Sequence, residues 1–394
     1  GGKMRQIEVD GSPIDSGPTV FTMKWVFDEL FAASGRDFDT TIDLHKAKRL
    51  ARHAWDEPHS VNRPFDLFAD REESRAEVGE LFGRESADGY ARFCRDAGGI
   101  HDTLRDTFMD AQMRAMRDAA RACGVVVMEG ARVERILTES GSACGVELAD
   151  GIRLRGAQVL YAGDMSWLTA ERVTGVKPPV KAVPPTGRAL SAITWSAKAK
   201  TSGFDLHRHN VFFSDDNRAE FDANFKHRRL PERPTVYVCA QNRDDDCQLM
   251  NGTNDTMLVL MNAPAFGATT KLDDRDMARC EEASFGLLER CGLQVERDPI
   301  SMVATQPADF EGLFPGSGGS IYGRASHGWM ASFARPGSTT KIPGLYLAGG
   351  SVHPGAGVPM AALSGRLAAQ AMMQDRDSIS RFHPAATAGG TLTR

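Results

Sequence analysis

The spacing of hydrophobic and polar residues changes several times along the chain, and each change marks a predicted element. Residues 3–9 alternate toward Asp10-Gly11, which predicts a short strand pair. Apolar residues at helical spacing then follow Thr22 and end at Gly35, which predicts a helix. Residues 70–121 are rich in charge and helix formers, so we expect this stretch to be mostly helical with solvated faces.

Residues 113–164 predict a helix, a buried strand and a β meander. The helical pattern of residues 113–123 ends at Gly124, and residues 125–128 form an uninterrupted apolar run, which is typical of a buried strand. Three further strand patterns follow, at residues 131–137, 145–148 and 157–161. This succession is typical of the second half of a nucleotide-binding α/β domain, in which an antiparallel piece precedes the final parallel strand.

The second half of the chain predicts a mixed sheet followed by a return to α/β structure. Proline pairs at 178–179 and 184–185 punctuate a linker, so we expect a domain boundary near residue 170. From there to about residue 340, apolar strands alternate with a helix; the clearest are strands 189–197, 210–213, 235–239 and 257–261 and helix 275–291. Residues 343–373 predict a strand at 345–347, a glycine-rich turn and a helix.

Composition narrows the function classes. The 394 residues predict two or three domains, and 41% hydrophobic with 25% charged residues excludes a disordered chain or a coiled coil. A net charge of -5 argues against nucleic acid as a partner. Every apolar run is broken before it reaches the roughly 18 residues of a membrane span, so membrane contact would be peripheral. The seven scattered cysteines form neither CxxC nor His-Cys clusters, which predicts no metal site and a reducing compartment.

The strongest local signal is the glycine-rich stretch from Gly344 to Met360, which lies directly before a helix. Glycines at 349, 350, 355 and 357 let backbone N–H groups approach a ligand, and Pro359 suits the first turn of the helix. A helix N-terminus offers free donors and a positive dipole end to an anionic or electron-rich ligand. The alternative interpretation is an ordinary strand-to-helix crossover.

Together with the meander, this stretch and the opening Gly1-Gly2-Lys3 resemble the flavin-binding parts of the amine oxidase and phytoene desaturase superfamily. Further stretches are similar to bacterial carotenoid desaturases: residues 1–31, 207–216, 234–243 and 310–315. Residues 320–337 are similar to the branch of purple bacteria that acts on hydroxylated or methoxylated carotenes. The resemblance covers most of the chain.

The resemblance implies an α/β (α+β) fold, with a Rossmann-like FAD-binding domain that is incomplete at its N-terminus and a mixed-sheet substrate domain. We expect residues 1–20, 113–168 and 341–375 in the FAD-binding domain, residues 21–112 and 169–340 in the substrate domain, and 376–394 as a tail. In the family, a strand with G-x-G-x-x-G precedes the Gly-Gly-Lys step, and a long helical segment precedes the helix at Met113. Neither is present in this sequence. We therefore expect it to begin inside the FAD-binding domain and to lack part of the substrate region.

The resemblance also implies roles for individual residues, each with turn or core packing as its alternative. The residues expected to contact FAD are Gly1, Gly2 and Lys3 at the diphosphate or ring edge, Val133 at adenine, Gly349, Gly350 and Ser351 at the ribityl and diphosphate end, and Val358, Pro359 and Met360 at the pyrimidine edge. The candidates for proton handling or recognition of the substrate's polar end are Arg324, His327 and His353.

The implied activity is FAD-dependent desaturation of an acyclic hydroxy- or methoxy-carotenoid in carotenoid biosynthesis. A phytoene desaturase or a carotenoid isomerase is the alternative within the family. A flavin-free relative that binds carotenoid or acts as a scaffold is the alternative of another class. The implied partners are the carotenoid, the surface of the inner photosynthetic membrane on the cytoplasmic side, and other carotenoid enzymes.

Overall fold

The fold is described from a computed structural model of the chain. It describes residues 2–20, 22–42, 44, 46–56, 63–108, 120–169, 172–181, 183–326, 331 and 335–382. The strands, in chain order, are β1 Gln6–Val9, β2 Ser12–Asp15, β3 Arg49–Trp55, β4 Phe65–Phe68, β5 Val133–Glu139, β6 Ser142–Leu148, β7 Arg153–Arg155, β8 Val159–Tyr161, β9 Ser191–Ala199, β10 Thr201–Ser202, β11 His209–Phe213, β12 Val236–Ala240, β13 Asp255–Ala263, β14 Gln294–Val295, β15 Met302–Thr305 and β16 Leu345–Leu347. The α-helices are α1 Trp25–Ala33, α2 Arg71–Phe108, α3 Asn217–Phe221, α4 Asp274–Arg290, α5 Pro307–Leu313 and α6 Val358–Phe382.

A seven-stranded sheet dominates the larger region of the molecule. Its strand order is β15-β9-β13-β12-β11-β3-β4, and every neighbouring pair is antiparallel except β11 with β3. Because side chains alternate across a strand, one face of the sheet carries an apolar set that packs with α4. Trp195 of β9, which is 1% exposed, meets Phe285 of α4 edge-on at 5.8 Å. We call this arrangement the sheet region.

The opposite face of the same sheet divides into a polar part and an aromatic part. The β1–β2 hairpin lies over the polar part, where Ser16 and Ser196 share a hydrogen bond of 2.6 Å and Arg5 donates to Thr305. The aromatic part lies over β3, β4 and β11, and its rings stack or meet edge-on: His53, Trp55, Phe65, Phe82 and Phe213. Trp55 and Phe82 are 37% and 40% exposed, so this part of the face is open.

The smaller region contains the meander and one parallel strand pair. Strands β5, β6 and β7 form an antiparallel sheet, and β8 pairs in parallel with β16. Ile136, Leu345 and Val352 are buried in its core, and α6 packs on β16. We call this arrangement the turn region, because the glycine-rich turn after β16 belongs to it.

The predicted α/β (α+β) class is confirmed, and so are the meander, the β16-turn-α6 unit and the strands of the mixed sheet. The buried strand predicted at residues 125–128 is wrong: the segment has no strand structure, and its four side chains are 39–84% exposed. An apolar run becomes a buried strand only where a neighbouring strand pairs with it, and no described strand does so here.

The predicted domain boundaries stay a prediction. The hairpin, assigned by sequence to the FAD-binding domain, contacts β9, β13 and β15 of the sheet region, and α6 continues past residue 375 to Phe382. In the described part of the chain, no helix combines the length and the apolar character that crossing a bilayer requires.

Candidate functional site

The candidate site lies where two parallel strands end side by side. Strand β8 ends at Tyr161 and leads to Asp164, while β16 ends at Leu347 and leads to the glycine-rich turn. Because the strands are parallel, these two exits meet at the same edge. The carboxyl ends of parallel strands are the usual place for ligands in α/β folds.

Gly349 begins the turn in a conformation that needs glycine. Its φ is +102°, and a Cβ at this position would lie 3.0 Å from the carbonyl oxygen of Ala162, so the two chain exits pass close together. Its N–H donates to Oγ of Ser364, a fully buried residue of α6, at 2.7 Å. The turn is thus fixed both to the neighbouring strand exit and to the helix behind it.

The next two residues of the turn are held by charged side chains. Arg335 donates from Nη1 to the carbonyl oxygen of Gly350 at 3.0 Å, and Ser351 donates to Oδ2 of Asp164 at 3.0 Å. Ser351 and Arg335 are both only 8% exposed. These contacts hold Gly349, Gly350 and Ser351 in place at the strand exits, and their predicted contact with the flavin stays a prediction.

The N-terminus of α6 follows the turn. Val358 begins the helix, and the first backbone bond across it runs from Ala361 N–H to the carbonyl of Gly357. Pro359 has no N–H, and the N–H groups of Val358 and Met360 donate to no described residue. This helix start therefore keeps the free donors that the sequence predicted.

Lys3 brings a partly buried cation to the site. Its Nζ donates to the carbonyl of Ile321 at 2.8 Å and lies 5.5 Å from the Phe314 ring centroid. Burial lowers the pKa of Lys3, and the nearby carboxylate of Asp164 opposes this in part. Lys3 thus lies close enough to Asp164 and Arg335 for both charges to affect its pKa.

The remaining predicted residues are placed differently. Arg324 is exposed, and its backbone forms an isolated antiparallel β-bridge with that of Arg188. Its carbonyl oxygen accepts a hydrogen bond from Arg335 at 3.0 Å, so Arg324 lies beside the site. His353 lies within the glycine-rich turn, and its N–H donates to the carbonyl of Pro336 at 2.9 Å. Gly2 is exposed with open space at its Cβ position. Gly1 and His327 lie outside the described residues.

Val133 lies in the turn region but not in the turn itself. It starts β5, pairs with Leu148 and packs on the core that contains Leu347 and Val352. Its predicted contact with adenine stays a prediction.

Sequence reasoning missed two residues of the site, Asp164 and Arg335. Asp164 had a usable signal, because it follows a predicted parallel strand directly. Arg335 lies in the 320–337 stretch that carried the family resemblance, but nothing in the pattern indicated its contacts.

The donor set fits a flavin. Lys3, which is partly buried, and Arg335, which is buried, donate to carbonyl oxygens, and neither forms an ion pair with a carboxylate of a described residue. Buried charges are normally paired, so this excess of positive charge suits an anionic or electron-rich group. The turn glycines and the free N–H groups of α6 add neutral donors beside it.

Comparison with known proteins identifies the family. Residues 34–373 match the family model described as flavin containing amine oxidoreductase. The chain is 39% identical to the hydroxyneurosporene desaturase of Rubrivivax gelatinosus, covering 100% of this chain and 90% of that protein. It is 34% identical to the hydroxyneurosporene desaturase of Cereibacter sphaeroides, covering 97% of this chain and 92% of that protein.

Solved structures agree with the fold. Putrescine oxidase bound to putrescine matches with a TM-score of 0.51 and 12% identity, over 95% of this chain and 91% of that one. The cofactor of the family is the predicted flavin, and the resemblance seen in the sequence is confirmed. The chain belongs to the flavin-containing amine oxidoreductases, in the group that contains the hydroxyneurosporene desaturases.

Proposed function

We propose that this chain is a FAD-dependent desaturase that removes two hydrogens from an acyclic hydroxy- or methoxy-carotene and so extends its conjugated polyene. The observation that carries the proposal is the similarity to two hydroxyneurosporene desaturases over 97–100% of this chain and 90–92% of those proteins. The turn region supports it, because its donor set is concentrated at one edge and suits a flavin.

FAD, when bound, would supply the hydride acceptor for an allylic C–H bond of the substrate. The residues that would hold it are Lys3, Gly349, Gly350, Ser351 and the start of α6. Arg335 is buried and Lys3 is partly buried, so their positive charges are shielded from much of the water, which strengthens their interaction with negative charge at this edge.

The open aromatic part of the sheet face suits the polyene. His53, Trp55 and Phe213 alternate away from the α4 core, so their rings lie on the face that the hairpin also covers. Lys3 directly precedes that hairpin, so the aromatic surface and the candidate cofactor site lie on one side of the sheet. Stacked rings present apolar area without flexible side chains, as binding of a long rigid hydrocarbon requires.

The substrate dissolves in lipid, so we further propose that the enzyme works at the surface of the inner photosynthetic membrane, from its cytoplasmic side. This matches a chain whose described helices include no candidate span. Co-sedimentation with anionic vesicles tests this part, and protein that stays in the supernatant at low salt would contradict it.

Product analysis tests the activity. The purified chain should show a bound-flavin absorption spectrum and convert a 1-hydroxylated acyclic carotene to a product with two fewer hydrogens and longer-wavelength absorption. Trp55→Ala should raise KM for the carotene while the flavin content is unchanged. Conversion of phytoene with no reaction on hydroxylated carotenes would favour the phytoene desaturase alternative, and the absence of flavin would favour the flavin-free relative.

A further inference from the structure

Arg335 bonds to two segments whose relative position must be fixed for the proposed reaction. Its Nη1 donates to the carbonyl of Gly350 at 3.0 Å, and its Nη2 donates to the carbonyl of Arg324 at 3.0 Å and lies 3.4 Å from Oγ of Ser326. The first contact is to the glycine-rich turn, and the other two are to the stretch that resembles the hydroxycarotene branch. One guanidinium therefore bonds to both the candidate cofactor segment and the candidate substrate segment.

The surroundings of Arg335 are unusual for an arginine. It is 8% exposed, and burial lowers its pKa, with Arg324 adding repulsion and Asp164 giving partial compensation. Burying an arginine without a paired carboxylate is unfavourable unless its hydrogen bonds do something that a neutral side chain cannot. A guanidinium holds its donors in a rigid planar fork, so its hydrogen bonds to two carbonyl oxygens have fixed directions, whereas a lysine ammonium is a compact charge on a flexible stem.

Ser364 and Asp164 hold Gly349 and Ser351, and Arg335 holds the residue between them. Gly350 has no side chain, and its carbonyl accepts from Arg335. A Cβ at Gly355 would lie 3.2 Å from Nε of Arg335, so the backbone of the turn passes directly over the guanidinium. The side chain of Arg335 thus fills the space beneath the turn and binds its carbonyl.

We propose that Arg335 is a positioning residue that holds the Gly350 turn in register with the Arg324–Ser326 segment, so that cofactor and substrate meet in one geometry. It acts through these backbone groups and does not itself touch reacting atoms. The functional part of this inference rests on the proposed function, while the structural part does not.

The test compares Arg335→Met with Arg335→Lys and with a matched control, Arg243→Met. Arg243 is also an arginine largely removed from solvent, and it donates to the backbone carbonyl of Cys247. It lies in the sheet region, however, where it forms an ion pair with Asp255. The position of the turn, which does not require flavin, is measured by amide hydrogen exchange of the peptide that covers residues 349–352. Flavin binding is measured by titration of flavin-free protein and by visible circular dichroism of the bound flavin.

Arg335→Met should speed exchange at residues 349–352 and weaken flavin binding roughly tenfold or more, which corresponds to one or two charge-assisted hydrogen bonds. Arg335→Lys should recover part of both effects, because it keeps the charge but not the fork. Arg243→Met should lower the unfolding temperature without changing exchange at residues 349–352 or the flavin spectrum.

Wild-type exchange rates and flavin affinity in Arg335→Met would overturn the proposal. If Arg335→Met does not fold, Arg335→Lys decides: wild-type exchange, affinity and spectrum would overturn the proposal, and a severalfold loss at unchanged unfolding temperature would support it. If the wild-type chain binds no flavin, the proposed function fails, but the exchange comparison still decides whether Arg335 positions the turn.

Discussion

The sheet region and the turn region are held together by different kinds of contact. In the sheet region, long strands such as β9 and β13 bury continuous apolar side chains against α4. In the turn region, the paired strands β8 and β16 have three residues each, and the site depends on single polar contacts from Ser364, Arg335 and Asp164. Stability should therefore be concentrated in the sheet region, and cofactor binding in a few hydrogen bonds of the turn region.

The largest effect should follow removal of a core side chain from the sheet region. Trp195→Ala leaves a cavity against Phe285, and we expect a loss of about 3–5 kcal/mol in the free energy of unfolding. Urea denaturation measures it, with Trp195→Phe as a milder control. A loss below about 1 kcal/mol would mean that this core does not dominate stability.

A smaller loss of stability but a clear loss of flavin should follow Ser364→Ala. The change removes the acceptor for the N–H of Gly349 in a buried place, which costs about 1–3 kcal/mol. The matched control is Ser284→Ala, at an equally buried serine of the sheet region whose hydroxyl donates to the thioether of Met261. Equal flavin content in the two variants would contradict the division between the regions.

A pH-dependent effect is expected from the polar part of the sheet face. Burial lowers the pKa of His209 to about 4, and its Nδ1 lies 2.7 Å from the Tyr237 hydroxyl. The unfolded chain takes up a proton near pH 6.5 that the folded chain resists until about pH 4, so stability falls as the pH drops through this window.

For His209 alone, the loss between pH 7 and pH 5 should be about 1–2 kcal/mol. His209→Gln should flatten this part of the stability profile, as measured by urea denaturation at each pH. His207, whose pKa is also lowered to about 4, should keep the remaining acid sensitivity. An unchanged slope in the variant would contradict the assignment to His209.

The smallest effect should come from the helix that covers the sheet core. The Asp273 carboxylate caps α4 by accepting from the N–H of Asp276 at 2.8 Å. Asp273→Ala should lower stability by about 1 kcal/mol in thermal or urea unfolding, with flavin content unchanged. Loss of flavin in this variant would show that the two regions are coupled through α4.

The sequence predicted correctly those strands and helices that are determined by the local pattern of residues. Strand β16 was predicted with its bounds, because three apolar residues stand between Gly344 and a glycine-rich turn. The meander and the strands of the mixed sheet were predicted from alternation. The apolar run at residues 125–128 failed, because burial depends on a pairing partner that local pattern does not reveal.

The sequence predicted only the part of the site that is formed by backbone groups. The glycines and the start of α6 could be identified, because glycine spacing and Pro359 are local signals. The contact between Ser351 and Asp164 joins residues 187 positions apart, and the three contacts of Arg335 depend on where its side chain turns. Neither set of contacts produces a pattern of residues that the sequence alone would reveal.

The parallel pairing of β8 with β16 also sets an order of events during synthesis. All strands of the seven-stranded sheet have been made once β15 ends at Thr305, whereas β8 must wait until Leu345–Leu347 leaves the ribosome. Lys3 likewise waits for Ile321, 318 positions later. Because long-range contacts form late and domains fold as units, the sheet region can fold first, and flavin capture becomes the closing step of biogenesis.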